Sequence, residues 1–234
     1  MFIFFFLISL AFAYDDPTGG KPFGPWLWND QVKPMVKEAG AGDNLLFLGG
    51  MVAGTYVTMP YDHKVRAYTN DGGNLLVGQD EAKKISDITD TWLELGTSVV
   101  LLGVDTKEGV KLSRALIFSL ASYSFLKRVT IRERPDGSDH QSWPSGHTSA
   151  MFTLAGSLSY SYGWKAAIPA YAAATLTGFS RIKENKHWAS DVVAGAFLGT
   201  YWATVSAKVS DKRISMFMPV PVNDGMAIVW MRQW

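Results

Sequence analysis

Apolar residues recur at spacings of three and four along most of this chain, which places them on one face of an α-helix. The pattern predicts long helices at 44–60, 90–104, 107 or 109 to 132, 148–162, 164–179 and 187–209. A shorter amphipathic helix is predicted at 80–88, inside the polar connector 61–90. The residues at 226–231 instead have a β-like composition. The chain is therefore predicted to be all-α, a helical bundle with a short extended C-terminal tail.

The pattern also divides the chain into segments. Residues 1–13, MFIFFFLISLAFA, form an apolar run that ends in the small-x-small pattern of a signal peptidase site. A signal peptide cleaved after Ala13 is expected, and an uncleaved anchor is the alternative. Residues 14–43 are rich in Pro, Gly and Trp near their start and are expected to be irregular. A single helical domain is expected at 44–210, followed by the tail at 211–234.

Composition excludes several classes of function. The chain of 234 residues has 22 Lys and Arg against 21 Asp and Glu, a net charge of +1, so no bulk charge favours binding to nucleic acid. It has no cysteine, which excludes disulfides, cysteine nucleophiles and thiolate metal sites. No His-Glu-x-x-His zinc motif, P-loop or dinucleotide fingerprint is present. Positive charge is instead concentrated in two short segments, at 127–134 and 181–186.

Three short segments inside this region combine the groups that phosphate chemistry requires. They are Lys127-x6-Arg134-Pro135, Pro144-Ser145-Gly146-His147 and Ser180-Arg181-x5-His187-x3-Asp191. The planar fork of arginine suits phosphate oxygens, and lysine adds a point charge. Each segment alone would be read more simply, as a basic helix end, a turn with a cap, or a surface pair. Together they favour a site that holds a phosphate, attacks it with a histidine and protonates the leaving group.

The spacings support this interpretation. His187 and Asp191 are four residues apart, so on a helix their side chains lie on one face. A carboxylate bonded to one imidazole nitrogen fixes the tautomer and leaves the other nitrogen free to attack. Lys127 and Arg134 are seven apart, about two helical turns, and can point the same way. Pro135 then ends that helix or forces the residue before it to be extended.

The middle segment precedes the helix predicted at 148–162, so its backbone N–H groups are expected at a helix N-terminus, a natural anion site. Ser145 can donate a hydrogen bond, Gly146 allows close backbone approach, and His147 can act as an acid near neutral pH. The remaining charged residues of the region are read as solvated or substrate-steering groups: Arg128, Arg132, Lys183 and Lys186. His63 and His140 fit no motif position.

The three segments resemble the signatures of the type 2 phosphatidic acid phosphatase and vanadium haloperoxidase superfamily, and every defining position matches. The resemblance covers about the C-terminal half. It implies about six core helices, a phosphohistidine intermediate and no metal or other cofactor, although vanadate could bind as a phosphate mimic. It also implies a role for each site residue. His187 would be the nucleophile, Asp191 its orienting partner and His147 the general acid and then base, with phosphate oxygens bound by Lys127, Arg134, Ser145, Gly146 and Arg181.

The resemblance leaves the substrate open. A lipid phosphate is the leading expectation, with a phosphomonoester or diphosphate cleaved on the periplasmic side of a bacterial envelope. The alternatives are a soluble periplasmic acid phosphatase of broad specificity, a vanadate-dependent haloperoxidase and a non-catalytic envelope protein. Only 45–60 approaches membrane-spanning length without charges, and mean hydropathy is +0.04, so physics alone favours a soluble or surface-seated bundle. The small residues of the helices would equally suit membrane packing, and membrane association is slightly favoured.

Overall fold

A computed structural model describes residues 22–70, 77–89, 91–210, 214–222 and 225–233. The predicted signal peptide, residues 1–13, lies outside these residues. Three α-helical stretches, two of them short, come first: α1 (Phe23–Trp26), α2 (Lys33–Ala39) and α3 (Gly42–Thr58). A π-helical segment, Leu27–Val32, joins α1 to α2, and a 3₁₀ turn, Met59–Tyr61, follows α3. The remaining elements are α4 (Asp62–Asn70), α5 (Gln79–Ile88), α6 (Thr91–Val104), α7 (Thr106–Thr130), α8 (Gly146–Tyr162), α9 (Trp164–Lys183), α10 (Ala189–Ser210), β1 (Ile214–Val222) and β2 (Gly225–Gln233).

Helices α7 to α10 form the centre of the bundle, and α10 lies against α8, α7 and α3. One apolar cluster fills the space between α7, α8 and α9, around Leu112, Leu154 and Tyr171. A second cluster lies around α10 and contains Leu198 and Val205. The central helices therefore bury apolar side chains against one another, which confirms the all-α bundle that the helical period predicts.

Glycines let α10 approach α8 unusually closely. A Cβ atom added at Gly195 would lie 2.6 Å from the carbonyl oxygen of Ser145. Gly199, one turn further along α10, meets the backbone of Ser149 in the same way. Small residues four apart allow such backbone contact between helices. The close approach brings the start of α10 beside the N-terminus of α8, where two of the three sequence motifs meet.

Residues 14–43 are not irregular throughout, so that prediction is wrong for the part that the structure describes. Phe23 to Ala39 is helical. Met35 is fully buried in the cluster around α10, and the hydroxyl of Tyr201 donates a hydrogen bond to the carbonyl of Ala39. These tertiary contacts stabilise helix in a segment whose Pro, Gly and Trp residues argue against it locally.

The connector 61–90 also contains more helix than the sequence predicts. The helix predicted at 80–88 is present as α5, whereas α4 has no counterpart among the predicted elements. The extended tail is an antiparallel pair, with Ile214 opposite Gln233 and Val222 opposite Gly225. Among the helices in the described part of the chain, none has the length and apolar character needed to cross a bilayer.

Candidate active site

A cavity of about 200 Å³ brings the three sequence motifs together. Six of the eight predicted site residues line it: Lys127, Arg134, Gly146, His147, Arg181 and His187. The other two, Ser145 and Asp191, are fully buried and contact each other, since the Ser145 N–H donates to the Asp191 carbonyl at 3.0 Å. The walls also include Thr89, Glu94, Tyr123 and Ala150, which the sequence did not single out. Glu94 is the buried carboxyl group of this wall, at 1% exposure.

His187 lies just before α10 rather than on it, because that helix begins at Ala189. The i,i+4 relation to Asp191 nevertheless holds, with His187 Nδ1 3.6 Å from Asp191 Oδ2. The His187 side chain is 2% exposed. Burial, reinforced by the charges of Lys127 and Arg134, lowers the His187 pKa to about 3, although the Asp191 carboxylate opposes this shift. The imidazole is therefore neutral at ordinary pH, and the nitrogen that faces away from Asp191 keeps its lone pair.

Both carboxylate oxygens of Asp191 accept hydrogen bonds. Oδ2 accepts from the Ser142 hydroxyl at 2.5 Å and from the Trp188 backbone N–H at 2.8 Å. Oδ1 accepts from Arg132 Nη1 at 2.6 Å. Burial alone would raise the Asp191 pKa, but His187, Arg132 and Ser142 together hold that pKa below its ordinary value. Asp191 is therefore a fixed anion behind the histidine.

Arg132 is not a solvated or steering charge, and that interpretation of the sequence is wrong. Its guanidinium bridges two carboxylates, Asp191 at 2.6 Å and Asp62 at 2.7 Å. Asp62 lies in the first turn of α4 and is 3% exposed. No local pattern links residues 62, 132 and 191, since only the fold makes them neighbours.

Lys127 and Arg134 reach the cavity from different local structures. Helix α7 ends at Thr130, where Ile131 adopts a left-handed conformation with φ 48°. Arg134 therefore lies in the following loop and not on the helix of Lys127, which agrees with the alternative that Pro135 keeps the residue before it out of the helix. The Lys127 ammonium donates to the Gln141 carbonyl at 2.5 Å. Burial and then the charge of Arg134 lower the Lys127 pKa to about 8, although Asp191 and Asp139 act in the opposite direction.

Arg134 and Arg181 are held by their neighbours. Arg134 Nε donates to Asp139 Oδ1 at 2.7 Å, and Nη1 donates to the Lys186 carbonyl at 3.2 Å. Arg181 is in the last turn of α9, and its side chain contacts Ser86 and Glu184. The Arg181 carbonyl also accepts the His187 N–H at 3.2 Å, which ties the cation to the histidine through the backbone.

The Ser145-Gly146-His147 segment forms the N-terminus of α8. Ser145 is the N-cap residue, and its hydroxyl accepts a hydrogen bond from Thr148 at 2.9 Å. A Cβ at Gly146 would lie 3.1 Å from the Tyr123 ring, so the absence of a side chain keeps this helix end close to α7. The helix end therefore faces the three cations across the cavity, in an arrangement suited to a bound anion.

The two histidines outside the motifs and Lys183 do not line the cavity. His63 is exposed, and its ring packs edge-on against Trp188 at 4.8 Å between centroids. His140 is exposed in the loop after α7. Lys183 is buried and donates to the Thr69 carbonyl, so its interpretation as a solvated charge is wrong. Within the described ranges, no group of three or more His, Asp or Glu side chains is arranged to hold a metal ion.

Comparison with known proteins gives a consistent result. The family model described as "PAP2 superfamily" matches residues 108–215. The chain is 41% identical over 83 residues to a lipid A 1-phosphatase of Porphyromonas gingivalis, which is 34% of this chain and 19% of that protein. It is 38% identical over 71 residues to a lipid A 4'-phosphatase of Helicobacter pylori, which is 30% of this chain and 36% of that protein. The chain thus spans well under half the length of either relative.

A solved structure shares the fold. The crystal structure of Aquifex aeolicus LpxE superposes with a TM-score of 0.53 at 20% identity. The superposition covers 63% of this chain and 94% of that one. At this level of identity the likeness concerns the arrangement of helices alone.

Proposed function

The chain belongs to the PAP2 superfamily through residues 108–215, and from that premise we propose that it is a metal-independent phosphatase acting on a lipid phosphate. One observation carries the proposal. A neutral, buried histidine with a carboxylate behind it lines the same cavity as three cationic side chains. The proposed chemistry is transfer of the phosphoryl group to His187 and then to water.

Binding uses the cationic side of the cavity. Lys127, Arg134 and Arg181 would surround the three non-bridging oxygens of the phosphate, and the start of α8 would present backbone N–H groups to them. Charges fixed in advance and directed at a phosphoryl group stabilise the transition state with little reorganisation. Asp139 and the Gln141 carbonyl hold two of these cations in place before substrate arrives.

Attack uses the two histidines. The His187 nitrogen that faces away from Asp191, Nε2, forms a bond to phosphorus while the bond to the leaving oxygen breaks. His147, in the first turn of α8, donates its proton to that oxygen. The phosphorylated imidazole becomes cationic, and Asp191 stabilises it through the Nδ1 side.

Hydrolysis returns the enzyme to its starting state. His147, now neutral, removes a proton from water as the water oxygen attacks phosphorus. The bond between phosphorus and Nε2 breaks, its electron pair returns to the imidazole, and inorganic phosphate leaves. The neutral ground state of His187 suits this step, since an unprotonated imidazole is regenerated directly.

The relatives and the surface near the cavity support a lipid substrate. Both named relatives are lipid A phosphatases, so a phosphorylated glycolipid is the first substrate to test. Three exposed apolar side chains, Phe125, Val129 and Ile131, surround the end of α7 that carries Lys127. They would contact the apolar part of such a substrate. We place the reaction on the periplasmic side of a bacterial envelope, consistent with the signal peptide expected from the sequence.

The test is release of inorganic phosphate by purified protein in EDTA, from lipid A, other lipid phosphates and soluble phosphomonoesters. We expect release from lipids and a loss of about 10³-fold or more in His187→Ala, because the nucleophile is removed. His140→Ala is the matched control, since His140 is exposed and outside the cavity. Equal activity of His187→Ala and the parent would refute the mechanism. Preference for soluble esters would refute the lipid assignment, and peroxide-dependent bromide oxidation after vanadate addition would indicate a haloperoxidase.

A further inference from the structure

A buried chain of alternating charges runs from α4 to the candidate nucleophile. Asp62 contacts Arg132, Arg132 contacts Asp191, and Asp191 lies 3.6 Å from the His187 ring. Asp62 and Asp191 are almost fully buried, and the Arg132 side chain is 21% exposed. Asp62 lies outside the segment that matches the family model, and Arg132 occupies none of the motif positions that the sequence analysis uses.

Arg132 determines where the Asp191 carboxylate can point. Its Nη1 binds Oδ1 at 2.6 Å, while Ser142 and the Trp188 N–H bind Oδ2. With both oxygens bound, the carboxylate cannot rotate without breaking a charge-assisted hydrogen bond inside the protein. Oδ2, the oxygen nearest His187, is thereby kept on the Nδ1 side of the ring.

Asp62 holds Arg132 and the start of α10 together. Its Oδ2 binds Arg132 Nη2 at 2.7 Å and the Ser190 hydroxyl at 2.6 Å. Its Oδ1 accepts the Ser190 backbone N–H at 2.9 Å. The Ser190 hydroxyl also accepts from Arg132 Nη1 at 2.7 Å. Because Ser190 and Asp191 are consecutive in the first turn of α10, Asp62 fixes the backbone that carries Asp191 as well as the cation that orients it.

We infer that Asp62 and Arg132 are positioning residues for the proposed phosphoryl transfer, acting on His187 through Asp191. This inference rests on the proposed function, because it assigns these residues to the same reaction. Neither residue lines the cavity. Their loss is therefore expected to slow chemistry while leaving phosphate binding intact, a pattern that general structural damage would not produce.

The kinetic arm of the test compares Asp62→Asn and Arg132→Gln with matched controls. We expect kcat to fall about 10- to 100-fold with KM unchanged. Losses of this size are usual when a residue that orients a functional group by a hydrogen bond is removed. Inorganic phosphate, measured as a competitive inhibitor, should bind both variants with the parent's affinity. Arg132→Lys should fall between Arg132→Gln and the parent, because it keeps the charge but loses the bidentate fork. Arg128→Gln and Asp87→Asn remove exposed charges and should behave as the parent does.

A second arm of the test measures the tautomer of His187 directly and does not require turnover. The chain has four histidines, so ¹⁵N spectra of the imidazole nitrogens can be assigned with His187→Ala as reference. In the parent we expect the His187 proton on Nδ1, facing Asp191. In Asp62→Asn and Arg132→Gln we expect a mixture of tautomers, with circular dichroism confirming that both variants fold.

Two results would overturn the inference. One is a parent-like kcat and a parent-like His187 spectrum in folded variants. The other is loss of affinity for inorganic phosphate in step with kcat, which would assign the pair to phosphate binding. If the parent hydrolyses no phosphoester, the proposed function fails, and the tautomer measurement alone then decides whether the pair orients His187.

Discussion

The two sides of the cavity differ in how firmly their charged groups are held. On the nucleophile side, Asp191 is fully buried and each of its oxygens has a hydrogen-bond partner. On the phosphate side, Lys127 and Arg134 are partly exposed, and their contacts are backbone carbonyls and one half-exposed carboxylate. The third cation, Arg181, is buried, so two of the three proposed phosphate ligands are accessible to solvent while the carboxylate behind His187 is not. Under the proposed mechanism, the site separates orientation of the attacking group from capture of the anion.

The largest effect that would test this separation is expected from Asp191→Asn. The neutral amide can no longer fix the His187 tautomer or stabilise a cationic phosphohistidine, so kcat should fall about 10³- to 10⁴-fold. Inorganic phosphate should still bind as a competitive inhibitor, because Asp191 does not line the cavity. Steady-state kinetics and inhibition by inorganic phosphate measure the two quantities. A parallel loss of both would show that the two sides are not separate.

A smaller effect is expected on the phosphate side from Arg134→Gln. Removal of one donor aimed at developing charge typically costs about 10²- to 10³-fold, and here the loss should fall on kcat/KM and on vanadate affinity together. Arg128→Gln is the matched control, since it removes an exposed charge near the end of α7. If Arg134→Gln changed kcat but left vanadate affinity intact, Arg134 would not belong to the phosphate side.

The partial burial of Lys127 beside Arg134 should also appear as an alkaline limit. Since the Lys127 pKa is lowered to about 8, its charge is present below that pH and lost above it. We expect kcat/KM to fall about tenfold per pH unit above this value, as the free enzyme loses the cation. Lys127→Arg should move the limit to higher pH, because a guanidinium stays protonated. An unchanged profile in Lys127→Arg would assign the limit to another group.

The smallest effect concerns the helix contact that holds the Ser145-Gly146-His147 segment beside the start of α10. Gly195→Ala would force a methyl group against the Ser145 carbonyl, at a cost of about 1–3 kcal/mol in the free energy of unfolding. Gly96→Ala is the control, because nothing lies within 4 Å of its Cβ position on α6, and there we expect a gain of about 0.5–1 kcal/mol. Urea denaturation of both variants measures the difference. Equal midpoints would show that α8 and α10 separate at no cost.

The sequence predicted most of the bundle and the grouping of the three motifs, because local patterns carry both. The helical period identifies α7 to α10 within a few residues, and the motif spacings indicate which side chains converge. It left open whether Arg134 continues the helix of Lys127, because nothing in the sequence around Ile131 signals its left-handed conformation. It missed the helix at 23–39, which depends on burial of Met35 against α10.

The contact between Asp62 and Arg132 shows why the rest could not be predicted. The two residues are 70 positions apart, and each looks like an ordinary surface charge in its own segment. Burial turns them into a pair, and burial is a property of the folded chain rather than of either segment. Sequence reasoning found the motif residues and missed the pair of charges that lies behind Asp191.

Asp62 also affects which residues a truncated form of this protein must keep to stay active. A fragment limited to 108–215 would retain Lys127, His147, His187 and all the other motif positions, yet it would lack α4 and the partner of Arg132. Such a fragment, or a chimera that carries it on another scaffold, would still match all three sequence motifs. Under the proposed function, it would lose the contact by which Asp62 holds Arg132. Any truncation of this protein that is meant to stay active should therefore keep α4.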